Sequence, residues 1–394
     1  MVSDINISET IEDKKSWFNI KRFKIGSNHF EKPEKCLDIK TLEQVTYRNL
    51  KSGFKFYEAT KLVPRYNNLV KLYNTDDDQV VDKFFYKKNW LSDAPNVINF
   101  TFEFNPFLHV KTIEDMSWFF NQYYPYSRLI LTVPNIRIKR YFDKKLVQVI
   151  DFDNYVKFVD SAFDILDEKN NKPIFVPVSM RMGMRKLTEL IEHYLKEERY
   201  YYWFDFEGKS ISARNMGKLR HVFRDIKNSG NFDYVISYFT NVKREILSNS
   251  NEPTSVASDA LCAVAGANLI GVNREPRRYY MPKPPKGTGI EDSLRVPSPV
   301  DPSHKARIFD RETYYYVKTS NADLFKKTRY VPVNAARLNA EFGTQSEYFL
   351  ENQNIETLLD TKIMFKDEKA GNVLKALTSK SVDTESSASI TDFI

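Results

Sequence analysis

Residues 174–206 read IFVPVSMRMGMRKLTELIEHYLKEERYYYWFDF, and this stretch decides the fold. Its two ends, Ile174–Ser179 and Tyr201–Phe206, are short apolar runs rich in aromatic and β-branched residues, which predicts buried strands. The middle, Arg185–Glu198, has helical spacing, with its apolar residues on one stripe and charges opposite. A strand, a helix and a second strand in this order predict a βα unit of a parallel sheet.

The same pattern recurs on both sides of this stretch. The other predicted strands are Val97–Phe104, Arg128–Val133, Tyr234–Phe239 and Asn268–Val272. The other predicted helices are Ile113–Gln122, Phe152–Glu168 and Ala213–Lys227. Successive strands begin roughly 30 to 45 residues apart, which is the length of a βα unit.

Six such units favour a (β/α)8 TIM-like barrel. The two further strands that a barrel needs are sought in Ile20–Ile25 or Cys36–Ile39, and in Tyr314–Val317. An open, doubly wound sheet is the alternative. No glycine-rich phosphate-binding motif follows any predicted strand, which weakens this alternative.

We expect four regions along the chain. Residues 1–95 form a mixed N-terminal region that contributes in part to the barrel. Residues 96–318 form the barrel core, with a proline-rich excursion at 275–305 that carries seven of the 17 prolines. Residues 319–378 are a helical region, with helices over Ala340–Asn352 and Ile355–Phe365, and residues 379–394 are a polar tail expected to be disordered.

Composition indicates a folded, intracellular protein. The chain has 394 residues and a net charge of +7, with no apolar run of transmembrane length and an acidic, polar N-terminus unlike a signal peptide. Two cysteines exclude a disulfide framework and a cysteine-rich metal site. We therefore expect a cytoplasmic protein, nucleoid-associated if it comes from a prokaryote or a virus-infected cell. The 23 Tyr and 29 Phe indicate an aromatic core or, alternatively, surface rings that stack on bases.

Polar residues lie at the carboxyl ends of the predicted strands and in the loops after them, where a barrel has its active site. They are Glu103, Asn105, Asn135, Ser179, Arg181, Asp205, Glu207, Lys209, Asn241, Lys243, Arg244, Asn273 and Arg274. Asp205 and Glu207 form the most specific pair, because residues i and i+2 of a strand face the same side. These two and Glu103 are the candidates for acid/base or nucleophilic roles. The alternative is a structural ion network with Arg181, Lys209 or Arg244.

Neither a metal nor a cofactor is assigned from the sequence. The five histidines have no ligand-spaced pairing, so a zinc site is not expected. Cys262 lies in an apolar segment and is expected to be a buried core thiol.

The start of the excursion alternates basic and aromatic residues, a composition that suits a nucleic-acid strand. The candidates are Arg274, Arg277, Arg278, Tyr279, Tyr280, Lys283 and Lys286. The alternative is an exposed loop whose charges serve only solubility.

The chain ends in Ser389-Ile390-Thr391-Asp392-Phe393-Ile394, which resembles the sliding-clamp-binding motif called the PIP box. One turn of 3₁₀ helix would bring Ile390, Phe393 and Ile394 to one side as apolar anchors. Ser387 stands where the motif has glutamine, and Ile394 replaces its last aromatic residue. The resemblance implies a PCNA-like clamp as partner, and packing of the tail on its own domain is the alternative.

The barrel and its basic excursion distantly resemble the tRNA-guanine transglycosylase superfamily, including its DNA-acting branch. The superfamily's Asp-Ser-Gly-Gly-Phe-type motif and zinc-binding cysteines are absent, so the motif assigns no catalytic residue. The resemblance implies a nucleic-acid base-modifying enzyme that the clamp tethers to DNA. A non-enzymatic replication or repair accessory factor is the second hypothesis, and a metabolic barrel enzyme for a small phosphorylated substrate is the third.

Overall fold

Residues 174–206 form the predicted βαβ unit. The computed structural model describes residues 5–142, 145–169, 171–245, 253–275, 306–366 and 368–380. The strands in chain order are β1 (Asn6–Glu12), β2 (Asn19–Ile25), β3 (Asn28–Phe30), β4 (Glu34–Lys35), β5 (Leu37–Asp38), β6 (Tyr57–Val63), β7 (Asn96–Phe102), β8 (Leu131–Thr132), β9 (Asn135–Ile136), β10 (Lys139–Phe142), β11 (Lys145–Gln148), β12 (Ile174–Ser179), β13 (Tyr201–Asp205), β14 (Ile236–Thr240), β15 (Thr254–Val256), β16 (Leu269–Ile270), β17 (Arg307–Asp310) and β18 (Tyr315–Lys318).

The helices follow the predicted pattern closely in the central part of the chain. They are α1 (Gln44–Leu50), α2 (Asn67–Tyr73), α3 (Asp78–Phe84), α4 (Ser117–Tyr123), α5 (Phe152–Asp167), α6 (Met184–Lys196), α7 (Ala213–Asn228), α8 (Lys327–Asn352), α9 (Glu356–Asp360) and α10 (Glu368–Leu377). α8 begins at Lys327, well before the predicted Ala340, and it contains Pro332, a residue type that usually marks a helix boundary. Among the described residues, no helix is both long and apolar enough to cross a membrane.

The fold is α/β, with two parallel sheets that carry helices between their strands. One sheet has the order β4-β16-β14-β13-β12-β8 and the other has the order β5-β6-β7-β9. β13 pairs in parallel with both of its neighbours, and Asp205 lies opposite Ser179 on one side and Thr240 on the other. The carboxyl ends of these strands therefore lie along one edge, which we call the carboxyl edge.

The structure corrects the predicted strands at two places. Tyr314–Val317 overlaps β18, which is antiparallel to β15 and β17 in a separate three-stranded sheet. The central parallel strand that the sequence did not indicate is β6, whose sequence YEATKLV interrupts its apolar residues with Glu58 and Lys61. Of the two N-terminal candidates, Cys36–Ile39 overlaps the parallel strand β5, and Ile20–Ile25 lies in the antiparallel sheet β1-β2-β3.

The inner face of the parallel strands is apolar near their amino ends. A buried cluster there joins Phe56, Val97, Phe175, Trp203 and Leu269, each from a different strand or its flank, to residues of the N-terminal sheet. That sheet contributes Phe23, Ile25 and Phe30, and the rings of Phe23 and Phe30 stack at 4.8 Å. The N-terminal sheet thus covers the amino ends of the parallel strands and leaves the carboxyl edge for a site.

A larger core lies between the sheets and the helices, and it absorbs much of the aromatic content. Phe100 is fully buried and has the rings of Phe119 and Tyr123 within 5.4 Å. Cys262 is also fully buried in this core, as the sequence predicts.

Candidate functional site

The inner face changes from apolar to polar toward the carboxyl edge. Side chains alternate along a strand, so Trp203 and Asp205 share a face, as do Val97, Asn99 and Thr101. Asp205, Asn99 and Thr101 are all buried. Buried polar groups require hydrogen-bond partners, and these residues find them in one another and across the two sheets.

Asp205 is the centre of one such network. Its Oδ2 accepts hydrogen bonds from the Thr101 hydroxyl at 3.1 Å and the Asn135 amide at 3.0 Å. Its Oδ1 accepts from the Asn241 amide and from the backbone N–H of Glu207, both at 2.9 Å. Four donors from four segments suit a carboxylate that organises the carboxyl edge.

Glu207 lies immediately after β13, in a tight turn. Its φ of +49° and the φ of +82° at Gly208 are both left-handed, a conformation that is costly for glutamate. The turn directs the Glu207 side chain inward, where only 1% of it is exposed. Such a backbone conformation persists only where surrounding contacts impose it.

Of the two oxygens of the Glu207 carboxyl group, only Oε1 accepts a hydrogen bond in the described residues. The Ser179 hydroxyl donates to Oε1 at 2.6 Å. Oε2 lies 3.1 Å from Nε of Arg181 and 3.5 Å from Nε of Arg137, but it accepts no hydrogen bond in the described residues. Burial, with the adjacent charge of Asp205, raises the pKa of Glu207 from 4.5 to about 7, although Ser179 and the two arginines oppose this shift.

Glu103 joins the same group through Arg137, with which it forms an ion pair. The chain of charges therefore runs from Glu103 through Arg137 and Glu207 to Arg181. The structure brings together all three predicted carboxylates at the carboxyl edge. It also contains the predicted ion pairing of Glu207 with Arg181, so the group is both an ion network and a candidate acid/base site.

Glu58 is a buried carboxylate that the sequence did not indicate. Its Oε1 accepts from Thr60 at 2.8 Å and from Asn99 and Thr240 at 2.9 Å. Its Oε2 accepts from the backbone N–H of Val272 at 2.7 Å. Glu58 thus connects β6 and β7 of one sheet to the other sheet. Because Glu58 interrupts the apolar residues of β6, the sequence did not indicate a buried strand there.

Glycine is the only residue type that fits at position 271, beside Glu58. A Cβ atom at Gly271 would lie 2.0 Å from Oε2 of Glu58 and 2.9 Å from Cβ of Thr240. We expect Gly271→Ala to lower the free energy of unfolding by about 1–3 kcal/mol, measured by urea denaturation. Gly217→Ala is the matched control, because Gly217 lies within α7 with open space around it, and this change should stabilise the helix by up to about 1 kcal/mol. Equal stability of Gly271→Ala and the wild type would contradict this packing.

Arg244 does not join the site as the sequence predicted. It is 1% exposed, and its guanidinium pairs with Glu245 and Glu275. The ring of Tyr316 lies 4.7 Å from the guanidinium carbon. Arg244 therefore belongs to a buried charged cluster, to which β18 contributes the ring of Tyr316.

Asp259 belongs to the same buried region. It accepts hydrogen bonds from the Tyr316 hydroxyl at 2.6 Å and from the Asn273 amide. Burial raises the pKa of Asp259 to about 7. No group of three or more His, Cys, Asp or Glu side chains in the described part of the chain is arranged to hold a metal.

The predicted nucleic-acid segment lies largely outside the described residues. Of its members, only Arg274 is described, and its side chain passes beside Gly208, with Cγ 3.2 Å from where a Cβ on Gly208 would be. Arg277, Arg278, Tyr279, Tyr280, Lys283 and Lys286 lie outside the described ranges, as do the clamp-binding candidates Ile390, Phe393 and Ile394.

The fold and the site define an α/β protein with buried carboxylates at the carboxyl edge of its parallel sheets. No protein-family model and no curated protein matches the chain. Among solved structures, a candidate lyase/mutase from Burkholderia cenocepacia J2315 is 11% identical with a TM-score of 0.38, and the match covers 62% of this chain and 77% of that chain. A family 26 endo-β-1,4-mannanase from Cellulomonas fimi is 10% identical with a TM-score of 0.38, covering 64% of this chain and 68% of that one.

Proposed function

We propose that the two parallel sheets are arcs of one closed (β/α)8 barrel. Only Cys36 separates β4 from β5, and its N–H donates to Ile270 of the six-stranded sheet at 2.9 Å. The N–H of Ile39 donates to Glu58 of the four-stranded sheet, also at 2.9 Å. At the opposite side, β8 pairs with β12 of the six-stranded sheet, and β9 pairs with β7 of the four-stranded sheet. This arrangement supports closure, because a barrel has strands bonded on both sides and no free edge.

We propose further that this barrel is a nucleic-acid base-modifying enzyme in which Glu207 is the general acid and base. The observation that carries the proposal is the buried Glu207 carboxyl group, with its pKa raised to about 7 and its Oε2 without a hydrogen bond in the described residues. A carboxyl group with a pKa near neutrality can both give and take a proton under working conditions. Asp205, whose oxygens accept four hydrogen bonds, acts as a positioning residue in this scheme.

The proposed reaction is exchange at a glycosidic bond. Protonated Glu207 gives its proton to the departing base as the carbon–nitrogen bond breaks. The incoming base then loses a proton to the Glu207 carboxylate as it bonds to the same sugar carbon, which restores the starting state. Arg137 and Arg181 stabilise the carboxylate form in between, since both lie within 3.5 Å of Oε2.

The test is an exchange assay with the full chain. Single-stranded and duplex DNA, and a transfer RNA, are incubated with isotopically labelled free bases, and the nucleosides are then examined by mass spectrometry. Label in one nucleoside of one polymer supports the enzyme and identifies its substrate. Absence of label from all three polymers, with protein that binds DNA, argues against base exchange.

We also propose that the C-terminal tail tethers the barrel to a sliding clamp. The support is the sequence Ile390-Thr391-Asp392-Phe393-Ile394, which follows a polar segment with almost no apolar residue. A tether raises the local concentration of the barrel near DNA without tight intrinsic binding, which fits a net charge of only +7.

Deletion of Ile390–Ile394 should abolish co-elution with the clamp of the host. The apolar anchors supply the contact that fills a clamp pocket, so we expect affinity to fall at least roughly 100-fold, measured by titration calorimetry. Substitution of Ser381 and Ser386 by alanine is the matched control, because it alters the tail and keeps the anchors. Unchanged co-elution after the deletion would contradict the tether.

A non-enzymatic accessory factor is the second candidate function. It is favoured by the saturated hydrogen bonding of Asp205 and by the ion pairing of Glu103 with Arg137, both of which suit a structural platform. Glu207→Gln protein that retains full cellular function would support this alternative over the enzyme.

A further inference from the structure

A cluster of positive charge lies beside Glu207 at the carboxyl edge. Its members are Arg181, which follows β12, Lys209, which follows β13, and Arg214 and Lys218 in the first half of α7. Lys218 lies against the β12 end, because its ammonium donates to the backbone oxygens of Met180 and Met182. Lys209 is near enough to Arg181, Arg214 and Lys218 for their charges to affect one another, which joins three segments of chain into one patch.

The patch has far more cations than anions. Arg181 has Glu207 as its partner, at 3.1 Å. In the described residues, neither the Lys209 ammonium nor the Arg214 guanidinium forms an ion pair. Burial, followed by the charges of Arg181 and Arg214, lowers the pKa of Lys209, and burial with the charges of Lys209 and Arg214 lowers that of Lys218 to about 8. Cations that repel one another in this way are stabilised by an anion bound between them.

The start of α7 adds to this preference for an anion. The N-cap residue Ser212 makes no side-chain cap hydrogen bond, and the first turn contains no acidic residue. It contains Arg214 instead, although a cation at this end opposes the helix dipole. A 16-residue helix whose first turn carries a cation and no cap is suited to bind an anion from outside the chain.

We propose that Arg181, Lys209, Arg214 and the start of α7 form the site that holds a phosphate group of the substrate. This inference rests on the proposed function, since it assigns the patch to the substrate on which Glu207 acts. Lys218 is a positioning residue, because its ammonium already holds the turn at Met180–Met182. Phosphate is the chemistry that suits the patch, because a phosphate oxygen array accepts from arginine and lysine at once. The phosphate comes either from a nucleic-acid backbone or from a small phosphorylated molecule.

The test uses the full chain and the variant Lys209→Gln/Arg214→Gln. Lys209 is half-buried and Arg214 is exposed, and neither touches the Glu207 carboxyl group in the described contacts. The probes are a fluorescein-labelled 12-nucleotide single strand, the same strand with a neutral methylphosphonate backbone, and inorganic pyrophosphate. Lys71→Gln/Lys83→Gln is the matched control, because it removes two exposed lysines from α2 and α3 and leaves the patch unchanged.

For a nucleic-acid backbone, we expect the double variant to bind the charged strand at least roughly 10-fold more weakly, while the neutral strand binds poorly to every protein. The slope of log affinity against log salt should fall by about 1.4, since each lost phosphate contact with a single strand contributes about 0.7. For a small molecule, the loss should appear with pyrophosphate and not with the strand. Wild-type affinity of the double variant for both charged probes would overturn the inference.

The outcome is separable from that of the proposed function, because binding is measured without turnover. Lys71→Gln/Lys83→Gln should bind the charged probes as the wild type does. If the patch governs binding and no base exchange occurs, the phosphate site stands and the proposed function fails. If exchange occurs and the double variant binds and reacts normally, the proposed function stands and the phosphate site fails.

Discussion

Glu207→Gln should lower the rate of base exchange by about 10²–10⁴-fold, the range that a general acid or base contributes. Glutamine keeps the shape of the side chain and can still accept the hydrogen bond that Ser179 donates at 2.6 Å. It cannot give or take a proton at neutral pH. The rate is measured with labelled base and the polymer that the exchange assay identifies, at saturating substrate.

Asp205→Asn and Glu189→Gln are the controls for this change. The first would present an amide group to the four donors that surround Asp205, so this variant should lose stability as well as activity. Glu189 lies at the surface of α6, and its change should affect neither. A Glu207→Gln protein with wild-type exchange activity would remove Glu207 from the mechanism.

The raised pKa of Glu207 also has a consequence for stability. The folded protein binds this proton up to about pH 7, whereas the unfolded chain releases it near 4.5. The folded state therefore holds more protons between these values, and the free energy of unfolding falls as the pH rises through this window. Glu207→Gln removes this contribution. The free energy of unfolding of the variant, minus that of the wild type, should therefore increase between pH 4.5 and 7.

The sequence predicted the regular βα units well because their apolar periods are clear. β12 and α5 agree with the predicted segments to within a residue, and α6 to within two. β6 was missed for a physical reason, since a strand whose inner face carries Glu58 loses the apolar run by which buried strands are recognised. Tyr314–Val317 has the composition of a strand, and composition does not distinguish a parallel partner from an antiparallel one.

The sequence predicted part of the site from the rule that residues at the carboxyl ends of neighbouring parallel strands lie close together. This rule applies to only some of the residues of the site. Ser179 and Arg181 meet Glu207 because β12 and β13 are parallel neighbours, as the predicted order of strands implies. Asp205 and Glu207 were paired as two residues on one face of a strand. The strand ends at Asp205, and Glu207 reaches the site through the left-handed turn, which no periodicity could reveal.

The role of Glu58 and the cationic patch could not be predicted from the sequence, for a different reason. Both depend on contacts between segments far apart in the chain, such as Thr240 with Glu58 and Lys218 with Met180. A composition argument predicts that a basic protein has cations at its surface, but it does not predict which cations lie together. The contact of Lys218, in α7, with the chain that follows β12 decides that.

The largest effect on stability should come from Glu245→Ala, which we expect to lower the free energy of unfolding by about 3–5 kcal/mol. Glu245 is fully buried; its Oε1 accepts from Nε of Arg244 at 2.9 Å, and its Oε2 accepts from Arg307 and Ser255, both at 2.7 Å. Alanine leaves two buried guanidinium groups without this carboxylate, and the loss is measured as the shift of the urea denaturation curve. Glu189→Ala is the matched control, because it breaks two ion pairs on the surface of α6 and should leave the curve unchanged. Equal curves for Glu245→Ala and Glu189→Ala would contradict the role of the buried cluster in joining Arg244, after β14, to Arg307 of β17.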